Sequence, residues 1–256
     1  MIDSKTTVHM LWVEGSFSKL EKICANSFVF HGHEIIIWSY GGMNNAPVGS
    51  EVRDANEVLP FSLVFRGRSG SYAQFSDLFR YAVLSKFGGL WADTDVVCLS
   101  AARFGNTPFL VTERDRTPFA KRLAKKFLRR PDGKTINSNV IYNPRPKDGN
   151  IIHLAFQYAQ EFPKENIVWG ELGPRLLSAI EGIYPGHEFE IKPPNFSNAI
   201  DWWNCPSKLL ESGCSLPSDA LFLHLYNETW RRAGIDKNDR YPAGSIMKNM
   251  EDQFLY

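Results

Sequence analysis

Asp93 and Asp95 stand one residue apart, directly after the run Gly88-Gly89-Leu90-Trp91-Ala92. On an extended backbone residues i and i+2 project to the same side, which puts the two carboxylates roughly 7 Å apart at the backbone. Like charges held that close favour a cation between them. All-oxygen ligation selects a hard divalent ion, Mg2+ or Mn2+, that keeps positions open for phosphate oxygens. Taken alone, the pair is as compatible with a solvated turn.

The elements around the pair give it a setting. Ser71 to Phe87 is predicted as a helix, with Ser71 and Gln74 at capping-box spacing and Gly88 or Gly89 in the left-handed position beyond its end. Phe75, Leu78, Phe79, Ala82 and Val83 make its apolar face. Asp77 and Arg80 lie three apart on a second row, where their side chains touch; as a surface ion pair they would contribute about 0.3–0.5 kcal/mol. Strands are predicted at Thr7–Val13, Glu34–Trp38, Phe109–Thr112 and Asn139–Tyr142, and helices around Phe17–Asn26 and Ile151–Glu161. This alternation predicts an α/β fold, a mostly parallel sheet flanked by helices, with ligands at the carboxyl ends of the strands. The length, 256 residues, suits a single domain.

Composition narrows the function. A formal net charge of +1 argues against a nucleic-acid partner held by global charge. No run of about 18 apolar residues is present to span a membrane, and the first residues, with Asp3 and Lys5, do not form a signal peptide. Cys24, Cys98, Cys205 and Cys214 show no C-x-x-C spacing and are expected as reduced thiols of a cytoplasmic protein, with one bridge left open.

Across residues 72–95, Ala73, Ser76, Asp77, Arg80, Leu84, Gly88, Gly89, Trp91, Asp93 and Asp95 fall in the spacing of one known region. The stretch resembles the D-x-D sugar-binding region of the glycosyltransferases related to yeast initiating mannosyltransferase, vertebrate α-1,4-galactosyltransferase and the large clostridial glucosylating toxins (family 32-like). Trp91 stands where that family usually has Tyr. Val8 to Val13, with His9 and Trp12, is similar to the family's opening strand, and His224 to Trp230 to its closing H-x-x-x-x-x-W.

The resemblance implies the glycosyltransferase A (GT-A) fold over residues 1–256, with a donor-binding part to about 115 and an acceptor side and C-terminal lid from about 116. It implies a nucleotide-sugar donor and a Mn2+ or Mg2+ ion. Asp95 would bind the metal directly, and Asp93 would reach the ribose, the sugar or the metal. Asp77 and Arg80 would hold the donor sugar beside Trp91, and Asn227 and Trp230 would face the diphosphate. Trp12 would stack on the nucleobase, or fill the core as aromatics commonly do. His224 would be a metal ligand, or a hydrogen-bonded core histidine. Retention of anomeric configuration is implied, with front-face attack and the leaving phosphate as base. Asn139 is then the candidate for the β-face of the sugar, joining Asp93 and Asp95 as catalytic. Trp169 to Pro174 resembles a family helix start in which Leu172 replaces the usual Thr. Glu171 there is an acceptor-side candidate, or an ordinary first-turn acid.

Residues 117–130 form a second informative stretch. Thr117 caps, Pro118 suits the first helical position, Phe119, Leu123 and Phe127 align, and Lys121, Arg122, Lys125, Lys126, Arg129 and Arg130 cover the rest. Such a helix is a solvated face over a core, a contact with a polyanionic acceptor, or a peripheral contact with the anionic inner face of a membrane, where each basic residue contributes about 1 kcal/mol. The last suits a lipid-linked acceptor in surface polysaccharide synthesis.

Two rivals come from other classes. Asp93-Thr94-Asp95-Val96-Val97 also fits the signature of haloacid-dehalogenase-like phosphatases, in which the first Asp is the nucleophile. A non-catalytic sugar-nucleotide-binding domain is the other. Chemistry separates the first rival: incubation with phosphate esters should leave no phospho-aspartate at Asp93, checked by mass spectrometry after acid quench, and a trapped adduct would establish the phosphatase.

Overall fold

The computed structural model describes residues 6–68, 70–116, 134–164, 167–184 and 186–255. The predicted basic helix at 117–130 lies outside the described residues. The fold is of the α/β class predicted from the alternation of elements, mostly parallel in its sheet and flanked by helices. The chain forms two compact units, the first from residues 1–53, 92–103 and 195–256, the second from 54–91 and 104–194. Each unit is thus assembled from separate stretches of chain.

In the first unit β1 (Thr7–Leu11) pairs parallel with β2 (Glu34–Ser39), in register from Thr7 opposite Glu34 to Leu11 opposite Trp38. β3 (Ser50–Asp54) continues the order β3-β2-β1. Ile35, Ile37 and Trp38 are buried, as are Val8, Met10 and Leu11, which is the near-continuous apolar run of a strand covered on both faces. Between the strands runs α1 (Lys19–Phe30), begun by Ser18, whose N–H donates to Glu21 Oε2 at 2.9 Å. Leu20, Ile23 and Cys24 of α1 pack into one core with Leu223, Leu225, Trp230, Tyr241, Met247, Met250 and Phe254. Burial of each large apolar side chain stabilises by about 1.5–3 kcal/mol. The segment after Arg231 therefore supplies part of this core. Its loop is also tied to α1 by the Lys19 N–H, which donates to Asn238 Oδ1 at 2.9 Å. Two strands of the unit, β5 (Val96–Cys98) and β9 (Phe222–His224), form a separate antiparallel pair. The four cysteines are free thiols, and burial pushes those of Cys98 and Cys205 up to about 12.

In the second unit the strand order is β4 (Gly89–Ala92), β7 (Lys134–Asn143), β6 (Phe109–Arg114), β8 (Glu190–Lys192). β6 runs parallel to β8 and antiparallel to β7, with a register shift at Leu110/Val111. The predicted helix is α2 (Ala73–Lys86), and it packs on α3 (Ile151–Glu161), which Asn150 caps through the N–H groups of Ile152 and His153. The capping box expected from Ser71 and Gln74 does not form. Tyr72 is the N-cap, with no capping hydrogen bond from its side chain among the described residues, and Gln74 is instead buried against Gly67, where a Cβ would collide with it. The other end is as expected: the Gly88 N–H donates to Leu84 O, and Gly88 takes φ +70. Asn143 Nδ2 satisfies the same Leu84 carbonyl at 3.1 Å. This unit also contains a kinked turn at Glu171–Arg175 and α4 (Leu176–Ile183), while the short helix α5 (Ser207–Leu210) belongs to the first unit. Among the described residues no helix is long and apolar enough to cross a membrane.

Gly88 has two reasons to be glycine, its positive φ and the Asn143 carbonyl 2.9 Å from where a Cβ would sit. Gly88→Ala should therefore cost more than the ~1 kcal/mol of a left-handed non-glycine residue. At about 2–4 °C per kcal/mol for a chain of this size, thermal melts should show Tm lowered by several degrees. Gly41→Ala, with nothing within 4 Å, should leave it unchanged.

Candidate functional site

The carboxylate pair of the first unit is presented by a turn. Asp93 and Asp95 do not continue β4 as an extended strand; Val96 N–H donates to Asp93 O at 3.0 Å and closes a turn that leads into β5. The expected alternation along a strand is thus replaced by a tighter arrangement. β5 then pairs with β9 so that Val96 lies opposite His224, and the Leu225 N–H donates to Asp95 O at 2.9 Å. The outcome is one ligand atom each from Asp93, Asp95 and His224, all within 4.8 Å of one another.

The partners of these groups set their charge and orientation. His224 Nε2 lies 3.4 Å from Asp95 Oδ1. Its Nδ1 faces Asn198 Oδ1 at 3.3 Å, and the same oxygen accepts from Tyr226 Oη at 3.0 Å, while Asn198 Nδ2 donates to Ser197 Oγ. An acceptor at Nδ1 keeps a proton there, so Nε2 is the nitrogen turned toward the carboxylates, where a metal would take the place of the proton shared with Asp95. Asp95 Oδ2 accepts the Asn227 N–H at 2.7 Å. Burial pushes the Asp95 carboxyl up, but the charge and hydrogen bond of His224 and the Asn227 N–H outweigh it and hold Asp95 below its ordinary range. Two carboxylates and an imidazole fit a divalent ion, and the nitrogen ligand suits Mn2+ better than Ca2+.

Tyr226, between His224 and α6 (Asn227–Ala233), takes φ 51, ψ 64. Among the described residues it is the non-glycine position with positive φ. Such a conformation costs on the order of 1 kcal/mol or more. It is held by the Tyr226 hydroxyl on Asn198 and by the ring, whose centroid lies 3.9 Å from that of His224. Trp230, by contrast, is fully buried in the core with its indole N–H given to Leu225 O. The Asn227 side-chain amide donates to Glu21 Oε1 at 3.2 Å. Trp12, just past β1, packs edge-on against Phe17, and its buried indole nitrogen has no hydrogen-bond partner among the described residues.

The second unit holds the other candidates. Asp77 and Arg80 are 6% and 3% exposed, so the surface pair expected from their spacing is a buried one. Arg80 Nη2 lies 3.3 Å from Asp77 Oδ1, Nη1 donates to Ser138 O, Nε donates to Ser76 O, and the guanidinium sits 5.0 Å from the centre of the buried Trp91 ring. The physical reason is packing: α2 turns this row toward β7, whose Ser138 hydroxyl donates to Asp77 Oδ1 at 3.2 Å. Gly173 completes the cluster, since a Cβ there would lie 2.7 Å from Asp77 Oδ1. Asn139 is fully buried in β7, its N–H held by Asn137 Oδ1, and Glu171 accepts the Val168 N–H at 2.8 Å. Sequence reasoning missed Ser138, Gly173, Asn198 and Tyr226. Only Gly173 carried a local signal, the Gly-Pro step before α4.

Residues 34–110 match the family described as "Glycosyltransferase sugar-binding region containing DXD motif". No curated protein matches in sequence. Among solved structures, the chain is similar to the PaToxG glycosyltransferase, with 16% identity, 69% of this chain and 68% of that one covered, and a TM-score of 0.46. It is also similar to the glycosyltransferase GlyE of Streptococcus pneumoniae TIGR4, with 14% identity and a TM-score of 0.47; 99% of this chain spans 61% of that one.

Removing one partner of a buried ion pair leaves a charge unpaired and typically costs about 3–5 kcal/mol. Arg80→Ala should therefore lower Tm by on the order of 10 °C at the slope usual for this size. A calorimetric shift of only a degree or two would show Asp77 and Arg80 to be solvated.

Proposed function

We propose that the protein is a metal-dependent retaining glycosyltransferase that moves a hexose from a nucleotide-diphosphate sugar to a glycan or lipid-linked acceptor in surface polysaccharide synthesis. The convergence of Asp93, Asp95 and His224 within 4.8 Å, inside and beyond a matched sugar-binding region, carries this reading. UDP-sugars are the favoured donors, with GDP-mannose the alternative.

Asp95 and His224 would hold the ion, and Asp93 would share it or reach the donor. A bound divalent ion neutralises the diphosphate that leaves as the anomeric C–O bond breaks. Asp77 and Arg80 would orient the donor sugar. Their buried, mutually bonded side chains suit that role, because a fixed group aligns the anomeric carbon without first losing its own rotamer freedom. The unpartnered indole N–H of Trp12 supports a ligand at the end of β1. Asn139 on the sugar side and Glu171 on the acceptor side remain part of the proposal. So do a cytoplasmic location and peripheral membrane contact through residues 117–130.

Isothermal titration of the protein with Mn2+, without donor, should show binding that Asp95→Asn weakens at least tenfold. Sugar-nucleotide hydrolysis should stop with a chelator and return with Mn2+ better than with Ca2+. Hydrolysis undiminished in chelator would overturn the metal dependence, and a full screen of sugar nucleotides without turnover would favour the non-catalytic binding domain.

A further inference from the structure

Glu21 is a charged residue with no exposed surface. It lies in the first turn of α1, and the capping of that helix accounts for one of its oxygens only. Oε2 accepts from the Ser18 N–H and the Ser18 hydroxyl. Oε1 points elsewhere: it accepts the side-chain amide of Asn227 at 3.2 Å and forms an ion pair with Lys237, from the loop after α6. A carboxylate taken wholly out of water loses several kcal/mol of solvation unless it is fully paired. A capping Glu at a helix surface would avoid that loss. The burial here therefore serves the second oxygen, and the second oxygen serves Asn227.

Asn227 faces two ways. Its side chain is held by Glu21, and its main-chain N–H is the 2.7 Å donor to Asp95 Oδ2. A main-chain donor is aimed only by where its segment begins. Upstream that start is set by Tyr226 in its left-handed conformation, and from the other side by the grip of Glu21 on the Asn227 amide. Lys237 supplies the counter-charge beside the buried Glu21 carboxylate. The line Lys237–Glu21–Asn227–Asp95 joins α1, α6 and the following loop to one carboxylate oxygen, and leaves the other oxygen, Oδ1, beside His224 Nε2.

We infer that Glu21, with Lys237 as its counter-ion, is a positioning residue for the metal site: it holds Asn227 so that its N–H fixes the Asp95 carboxylate in the ligating orientation. This rests on the metal reading of Asp95. Outer partners of metal ligands typically change affinity by about 10–100-fold when lost, and that is the effect expected here.

The test measures Mn2+ affinity of the full chain from the electron paramagnetic resonance signal of free Mn2+, with no donor present. Glu21→Gln, which keeps the shape but offers an N–H where Asn227 needs an acceptor, should weaken Mn2+ at least tenfold. Asn227→Ala keeps the main-chain N–H and loses only the grip of Glu21; it should weaken Mn2+ in the same direction, and the double variant should be no weaker than the worse single one. Lys19→Ala, which breaks the neighbouring Lys19–Glu251 pair, should lower Tm without moving Mn2+ affinity. Wild-type Mn2+ affinity in Glu21→Gln and Asn227→Ala, beside its loss in Asp95→Asn, would overturn the inference and leave the metal site standing. An equal loss in Lys19→Ala would also overturn it, as general loosening of the junction. Unchanged affinity in Asp95→Asn would remove the metal reading itself. Should Glu21→Gln fail to fold by circular dichroism, Asn227→Ala decides alone.

Discussion

The antiparallel pairing of β5 with β9 is the constraint on which the candidate metal site depends. It sets Val96 opposite His224 and joins Leu225 to Asp95 through the main chain, so that groups 132 residues apart, Asn227 and Asp95, come within hydrogen-bond distance. Each strand is only three residues long, and a pair that short is marginal without help. The help is burial: Val96, Val97, Cys98, Phe222 and Leu223 have no exposed surface. Val97, Leu223 and Leu225 share a core with α1 and with the helix at Ile246–Phe254. Apolar packing thus holds the register, and the register places the charges.

Both units bury charge, and both surround it with fixed partners. In the first, Asp95 is flanked by a main-chain N–H and an imidazole whose other nitrogen is itself held by Asn198. In the second, Asp77 receives Arg80 and the Ser138 hydroxyl and is approached so closely by the backbone at Gly173 that no Cβ fits. Buried ion pairs contribute little net stability against an apolar alternative. Under the proposed function they would serve orientation, since groups already desolvated and bonded need no rearrangement when a ligand arrives. The left-handed Tyr226 fits the same pattern, a locally unfavourable conformation kept by a stack on His224 and a bond to Asn198.

Much of this was legible in order along the chain. The apolar row from Phe75 to Val83 marked α2 within a residue or two, Gly88 marked its end, and Ile151–Glu161 was found at its observed bounds. Those features are local, and period and turn chemistry report them directly. The Ser71–Gln74 capping box failed because its Gln side chain is drawn into packing against Gly67, a contact local spacing does not encode. The geometry of Asp93 and Asp95 failed for a related reason: the turn that holds them is closed by a main-chain bond to Val96, which feeds a strand whose partner lies far along the chain.

Residue types and spacing by themselves determined the α/β class, the position of the carboxylate pair and the helix that carries Asp77 and Arg80. Tertiary structure alone decided that Asp77 and Arg80 are buried, that His224 joins the two carboxylates, and that Trp230 belongs to the core while Asn227 faces Asp95 and Glu21. The division has one physical cause. Helical period and turn preference depend on neighbours a few residues apart, whereas burial and ligand convergence depend on which distant segments share a core. A lone His or Glu in the sequence carries no mark of the partner that folding will bring to it.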